Sequence, residues 1–270
     1  MYIYQKKKIQ NRVVFVEKAT PGTLIQFKDA LSNTLLSIQD PWSVEIRTYR
    51  TQIYSSNTNA MMYSLNFSHH ENNTVLIKNN IGTLFTSSKE NNTVAHLRRS
   101  DCSTGFPEDI DSIILNKMTS LWDSKQVLRG DAGETFKVVD GVIRCVNLLS
   151  STGFKGLIIE IEEDPDQVGS GNGNLNNDAT DKNDFIEVGL DEASREKRFL
   201  DIVGNTRELL KEIGVENYRI SLDRLGGQDE NGKKTPQDPV QSTTMASPPA
   251  RPGLGYLCDL GYQYVSVLEP

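Results

Sequence analysis

Cysteine is scarce in this sequence, and the three present, Cys102, Cys145 and Cys258, are far apart and belong to no CxxC or Cys/His cluster. An odd number at that spacing argues against a disulfide framework and a structural zinc site, and predicts a reduced, intracellular protein with Cys145 and Cys258 as small buried thiols. Long hydrophobic runs are missing too: Val13–Val16 and Leu157–Ile159 fall far short of the roughly 20 apolar residues that span a bilayer. Histidine occurs only three times. His69 and His70 are adjacent, hence on opposite sides of an extended chain beside a polar turn, and His96 sits in a polar segment, so all three read as loop residues without metal or triad partners. Aromatic residues make up 7% and occupy mainly apolar-face positions, leaving no basic and aromatic platform for single-stranded nucleic acid. The start of the chain carries Lys6, Lys7 and Lys8 and no apolar core, so no export signal is read there. The lysine triplet reads as a solvated terminus in preference to a nuclear signal.

What is there is acidic, but unevenly. The 270 residues carry a formal net charge of −7, against the clustered cations that a general nucleic-acid binder needs. Between Glu160 and Glu196 stand twelve acidic residues against Lys182 and Arg195, a local balance of −10 that leaves +3 for the rest of the chain. The acidity therefore belongs to one stretch. Within it, residues 164–184 are dominated by Asn, Asp and Gly; further on, residues 228–253 hold five prolines. Neither has enough apolar content to offset the entropy of ordering, and both are expected to be flexible inserts. The organisation expected is a basic extension over residues 1–11 and a single domain over 12–270 interrupted by those inserts.

Periodicity supplies the elements. Arg12–Glu17 (RVVFVE) reads as a strand buried on both faces. Thr20 and Pro21 open a helix whose stripe, Leu24, Phe27, Leu31, Leu35 and Ile38, runs to Asp40-Pro41. From Trp42 the period becomes two, with Trp42, Val44 and Ile46 opposite Glu45, Arg47 and Tyr49. Met61–Phe67, Thr74–Lys78 and Thr83–Ser87 predict an antiparallel meander, followed by an irregular Ser88–Gly105. Pro107-Glu108-Asp109 opens a second helix with Ile110, Ile113, Ile114, Met118, Leu121 and Trp122 on its apolar face. Strands are expected at Gln126–Gly130, Thr135–Val139, Val142–Leu149 and Lys155–Glu163, parted by turns at Asp131–Gly133, Asp140-Gly141 and Ser150–Gly153. Asp191–Gly214 and Leu254–Leu268 read as amphipathic helices. The second is so apolar that it must dock on something, and an intramolecular plug is favoured over a partner contact. Eight or more short, mostly antiparallel strands with flanking amphipathic helices predict an α+β protein built on a closed or nearly closed antiparallel β-barrel, since closure removes unpaired edges.

Three features bear on chemistry. Glu160 and Glu162 flank Ile161 on a strand and share one face, as a metal pair inside a barrel would. With Leu157, Ile159 and Ile161 on the other face, the economical register turns the glutamates to water. Gly130-Asp131-Ala132-Gly133-Glu134 lacks the Lys-Ser/Thr of a phosphate loop and reads as a hairpin turn. Gly169–Gly173 has linker composition. No catalytic, cofactor or metal residue is assigned, which favours an interaction module. The competing reading is a metal-dependent triphosphate hydrolase of the tunnel-barrel type, which needs several acidic and basic residues pointing inward.

Longer strings carry a resemblance. FVEKATPGTL (Phe15–Leu24), FKDALSNTLLSIQDPWS (Phe27–Ser43), RTYR (Arg47–Arg50), STGFPEDID (Ser103–Asp111), GDAGET (Gly130–Thr135), VNLLSSTGFKGLIIE (Val146–Glu160) and the closing CDLGYQYVSVLE (Cys258–Glu269) resemble, in order, the fungal Mediator subunit 20 family. The resemblance implies an antiparallel β-barrel flanked by helices, without catalytic residues or cofactors. It also implies a nuclear coactivator subunit of the Mediator head module that pairs with Mediator subunit 18, joins the module through Mediator subunit 8, and helps form the surface that meets RNA polymerase II and its initiation factors. The basic start and the two inserts depart from the family pattern, and the sequence does not mark which face binds a partner.

Overall fold

A computed structural model describes residues 10–53, 61–70, 73–79, 81–86, 109–164, 192–221 and 255–269. His96, Cys102, the lysine triplet, the irregular Ser88–Gly105 and nearly all of both inserts lie outside them.

Nine strands form one sheet: β1 (Asn11–Val16), β2 (Ser37–Thr51), β3 (Met61–Phe67), β4 (Asn73–Lys78), β5 (Ile81–Thr86), β6 (Trp122–Val138), β7 (Gly141–Ser150), β8 (Gly153–Glu163) and β9 (Arg219–Ile220). Their spatial order is β5-β4-β3-β2-β6-β7-β8-β1-β9, every neighbouring pair antiparallel. The meander appears where the alternation places it, and the hairpin turn lies one residue before the Asp140-Gly141 signal, at Val139-Asp140, with Val138 paired to Gly141.

The helices are α1 (Thr23–Leu31), α2 (Ile110–Lys117), α3 (Glu192–Glu212) and α4 (Gly255–Leu268). Strand β1 and its neighbour β8 are covered on both sides, which accounts for their nearly unbroken apolar runs. Val14, Val16, Leu157, Ile159 and Ile161 pack with Leu24, Phe27 and Leu31 of α1 and Phe199, Ile202 and Leu210 of α3. Val13, Phe15 and Ile158 face the other way, into a core shared with Trp42, Val44, Ile46, Leu65 and Val75 and with Leu257, Leu260, Tyr264 and Val267 of α4. A third cluster joins Ile114 of α2 to Tyr49, Met62 and Leu76.

The sheet is not closed by strand pairing, which corrects the expected barrel: β5 and β9 are the ends of the order. Helix α4 takes the place of closure. It touches β1 near one end of the sheet and β4 and β5 at the other. Six strand spacings separate β4 from β1, which would be about 29 Å on a flat sheet, whereas a helix is about 10 Å across; the sheet must therefore curl round α4. The fit is close, since a Cβ on Gly82 would stand 2.7 Å from Cys258 Cβ and one on Gly261 would stand 2.7 Å from Val75 Cγ1. The closing helix is thus an internal element of the fold.

Several boundaries differ from the pattern reading. Helix α1 stops at Leu31, and Asp40-Pro41 lies inside β2 at an irregularity between Gln39 and Trp42. Ser32 and Thr34 turn their hydroxyls back onto the carbonyls of Asp29 and Leu31, and pairing of Ile38 with Phe136 outweighs the helical spacing of Leu35 and Ile38. Gly22, not Thr20, occupies the cap. Helix α2 ends at Lys117, and Trp122 begins β6. Asn11 pairs with Glu162 in β1 and Asp164 is buried beside Lys137, so neither belongs to the extension or the insert assigned to it.

Gly130–Gly133 is not a turn. Strand β6 continues through it with register shifts against both β2 and β7, and its glycines admit side chains from both neighbouring strands. A Cβ on Gly130 would lie 2.5 Å from Val146 Cγ2, and one on Gly133 would lie 2.6 Å from Trp42 Nε1 and 2.8 Å from the Trp42 carbonyl oxygen. Because backbone cannot yield cheaply, Gly133→Ala is expected to destabilise the fold by about 1–3 kcal/mol in chemical denaturation. An unchanged midpoint would show that Trp42 is not seated there.

Candidate functional site

The α4-facing surface of the sheet is mostly apolar, and its charged side chains gather at one place. Residues of even number on β8 point towards α4, so Ile158 joins the core and Glu160 and Glu162 follow it inward. This corrects the outward register: with both faces covered there is no water side for them to take. Arg144 stands opposite Glu160 in the β7–β8 ladder. Its Nη1 lies 2.6 Å from Glu160 Oε1 and also contacts Glu162 Oε2. From α4, Tyr264 donates its hydroxyl to Glu160 Oε2 at 2.7 Å. Glu160 is 1% exposed.

The two histidines complete the cluster, again unlike the sequence reading. Ser68–His70 form a single 3₁₀ turn, which puts both rings on the same side, 4.1 Å apart between centroids. His69 packs edge-on against Trp42 and lies 3.6 Å from Glu160 Oε1 without a hydrogen bond to either ring nitrogen. The His70 ring is in hydrogen-bond contact with the Tyr256 hydroxyl of α4. Burial lowers both histidines to about 4, overcoming the pull of the Glu160 carboxylate; they are neutral at physiological pH. Burial alone would raise Glu160, but the Arg144 charge and the hydrogen bonds from Tyr264 and Arg144 prevail and hold it below the ordinary value. Glu162 moves the other way: burial raises it, Arg144 opposes and the neighbouring Glu160 carboxylate adds to the rise.

Chemically this cluster is closed on itself. The arginine occupies the space between the two carboxylates, and the remaining acceptor is taken by a tyrosine. Among the described residues no group of three or more His, Cys, Asp and Glu side chains is placed to hold a metal ion, and a tunnel hydrolase would need inward acids and bases free to meet a nucleotide. What the cluster does is tie β7, β8, the 3₁₀ turn and α4 together. Two further buried groups act in the same way. Asp111 of α2 accepts from Tyr49 and from Asn66 at 2.9 Å each. Glu163 takes a bidentate pair from Arg195 of α3 at 2.8 and 2.7 Å. Cys145 is fully buried, and burial raises its thiol well above the ordinary value, so it is an inert core residue. Cys258 is only partly buried, packed against the core that α4 shares with the sheet, so the buried thiol expected for it is not found.

Arg144, Tyr264 and Tyr256 escaped the sequence reading. The available signal was an arginine inside the apolar run Val142–Leu149. Among the described residues no helix is long and apolar enough to cross a membrane.

The fold and this interior define an α+β protein whose buried polar groups serve its own architecture. A family model described as the TATA-binding related factor of subunit 20 of the Mediator complex matches residues 9–269. Mediator of RNA polymerase II transcription subunit 20 of Saccharomyces cerevisiae is 37% identical over 263 residues, 96% of this chain and 99% of that protein. The Eremothecium gossypii protein of the same name is 35% identical, covering 95% and 98%. A chain in the Schizosaccharomyces pombe Mediator head module aligns with a TM-score of 0.37 at 8% identity, over 75% of this chain and 96% of that one, a likeness too slight to bear on function. The chain belongs to the Mediator subunit 20 family, whose members are transcription coactivator subunits.

The histidine environment sets a pH dependence. The folded state holds both rings at about 4, below the unfolded 6.5, so the unfolded chain binds more protons between those values. Stability is therefore full above about pH 6.5 and falls as pH drops towards 4, by up to about 3 kcal/mol per ring. Denaturation midpoints measured across this window should decline, and the decline should be shallower in His69→Gln/His70→Gln. An equal slope in both proteins would contradict the assignment.

Proposed function

We propose that this chain is a non-catalytic subunit of the Mediator head module, acting in the nucleus to support transcription initiation by RNA polymerase II. In this reading it forms a heterodimer with Mediator subunit 18, joins the module through Mediator subunit 8, and presents surface to the initiation machinery. The observation that carries the reading is the near full-length match to relatives that bear the name Mediator subunit 20. The closed interior cluster supports it, because the inward carboxylates are already engaged, both by Arg144 and Glu160 also by Tyr264. So does the surface: Leu36 and Ile38 at the start of β2 and Ile81 on the end strand β5 are each more than half exposed, the kind of side chain that a partner subunit covers.

The domain reading belongs to the same proposal: one folding unit from β1 to α4, with residues 165–184 and 228–253 as inserts. Tagged protein purified from nuclear extract should bring down Mediator subunit 18 and other head-module proteins, with and without residues 165–184. Their absence from the full-length sample would refute the head-module role. Their loss only on deletion, or a large fall in melting temperature, would show that the acidic stretch is part of the fold or the interface.

A further inference from the structure

At one end of the sheet β6 outruns its neighbour. On its β7 side the ladder reaches only Arg129 opposite Leu149, because β7 turns at Ser150–Gly153 into β8. From Trp122 to Leu128 strand β6 is paired with β2 alone, so among the described residues this edge has no strand beside it. Seven residues of strand offer about 23 Å of unpaired backbone donors and acceptors. Between this edge and the β7–β8 hairpin lies a cleft of about 820 Å³, within the size range of ligand sites.

Three cations line the cleft, two of them held by neighbouring acids. Lys125 is the extra residue where β6 bulges between Ser124 and Gln126 against β2. Lys155 is the extra residue where β8 bulges between Phe154 and Gly156 against β7. A bulge re-aims the side chain it carries, and both lysines line the same cleft, together with Arg129 and with Asp131 as the lining acid. Asp123 pairs with Lys125, and Glu45 Oε2 holds Arg129 Nε at 2.7 Å. Hydroxyls of Ser150 and Thr152 at the hairpin tip complete the wall.

We propose that this cleft docks an extended acidic segment of another polypeptide, which adds as a strand to the free edge of β6 while its carboxylates meet Lys125, Arg129 and Lys155. Backbone pairing supplies affinity and the alternate side chains supply selectivity, the usual division in strand addition. The chain's own acidic stretch leaves β8 at Asp164, about 30 Å of strand beyond Lys155, and its deletion separates it from an external segment.

Fluorescence anisotropy with a labelled peptide alternating valine and glutamate tests the assignment. Binding is expected, weakening with added salt, about tenfold weaker in Lys155→Glu and in Lys125→Glu, and lost when alternate peptide nitrogens are methylated. Lys125 is exposed, so its variant serves if Lys155→Glu melts early. Equal binding of an alternating valine and lysine peptide, retention by the methylated peptide, or no effect of either lysine variant would overturn the proposal. So would a shift of the Lys155 amide resonance on deleting residues 165–184 without peptide, which would hand the cleft to this chain's own acidic stretch.

Discussion

Everything in this structure depends on a helix held inside a sheet that does not close. Nine strands in an open order would leave one whole face of apolar side chains in water, and α4 fills that face. Its apolar residues supply most of the attachment, since Leu257, Leu260 and Val267 are nearly inaccessible and full burial of such a side chain contributes about 1.5–3 kcal/mol. Polar contacts fix its register. Tyr264 reaches Glu160 on β8, and Gln263 donates to the side chain and carbonyl of Asn11 on β1 while accepting from Ser221. Apolar burial explains why α4 binds, and these bonds explain why it binds in one position.

The buried ion cluster follows from that constraint. A charged trio in a core is seldom a net gain in stability, because desolvation offsets most of the attraction. Its value lies in specificity: Glu160 is satisfied only when Arg144 and Tyr264 both meet it, which ties the central strands to the C-terminal helix. The same placement keeps the carboxylates from outside chemistry, so the interior is structural and interaction falls to the exposed edges and the clefts beside them.

How far the sequence discloses this can be judged residue by residue. Alternation marks β3 and β7 well, because each has side chains with one fairly consistent environment per face. The helical stripe of Phe199, Ile202, Val203 and Leu210 is legible for the same reason. Leu35 and Ile38 mislead, since their spacing fits a helix while Ile38 pairs in β2, a tertiary preference that no local pattern contains. Glu160 misleads more deeply: alternation shows that Glu160 and Ile161 face opposite ways, but not that α4, about a hundred residues later, covers the glutamate side. Gly130 and Gly133 signal tight backbone, and whether tightness means a turn or a close neighbour is decided by Trp42 and Val146. Partner surfaces leave the faintest trace, because an unpaired edge such as Trp122–Leu128 is defined by where the adjacent strand stops.

The central claim, that α4 is an integral part of the core and not a docked appendage, is tested most directly by native-state hydrogen exchange. The account predicts that amides of Leu260–Val265 exchange only through global unfolding, with the same free energy as those of β1 and β8. Exchange of α4 through a local opening several kcal/mol below the global value, while β1 and β8 stay protected, would contradict it.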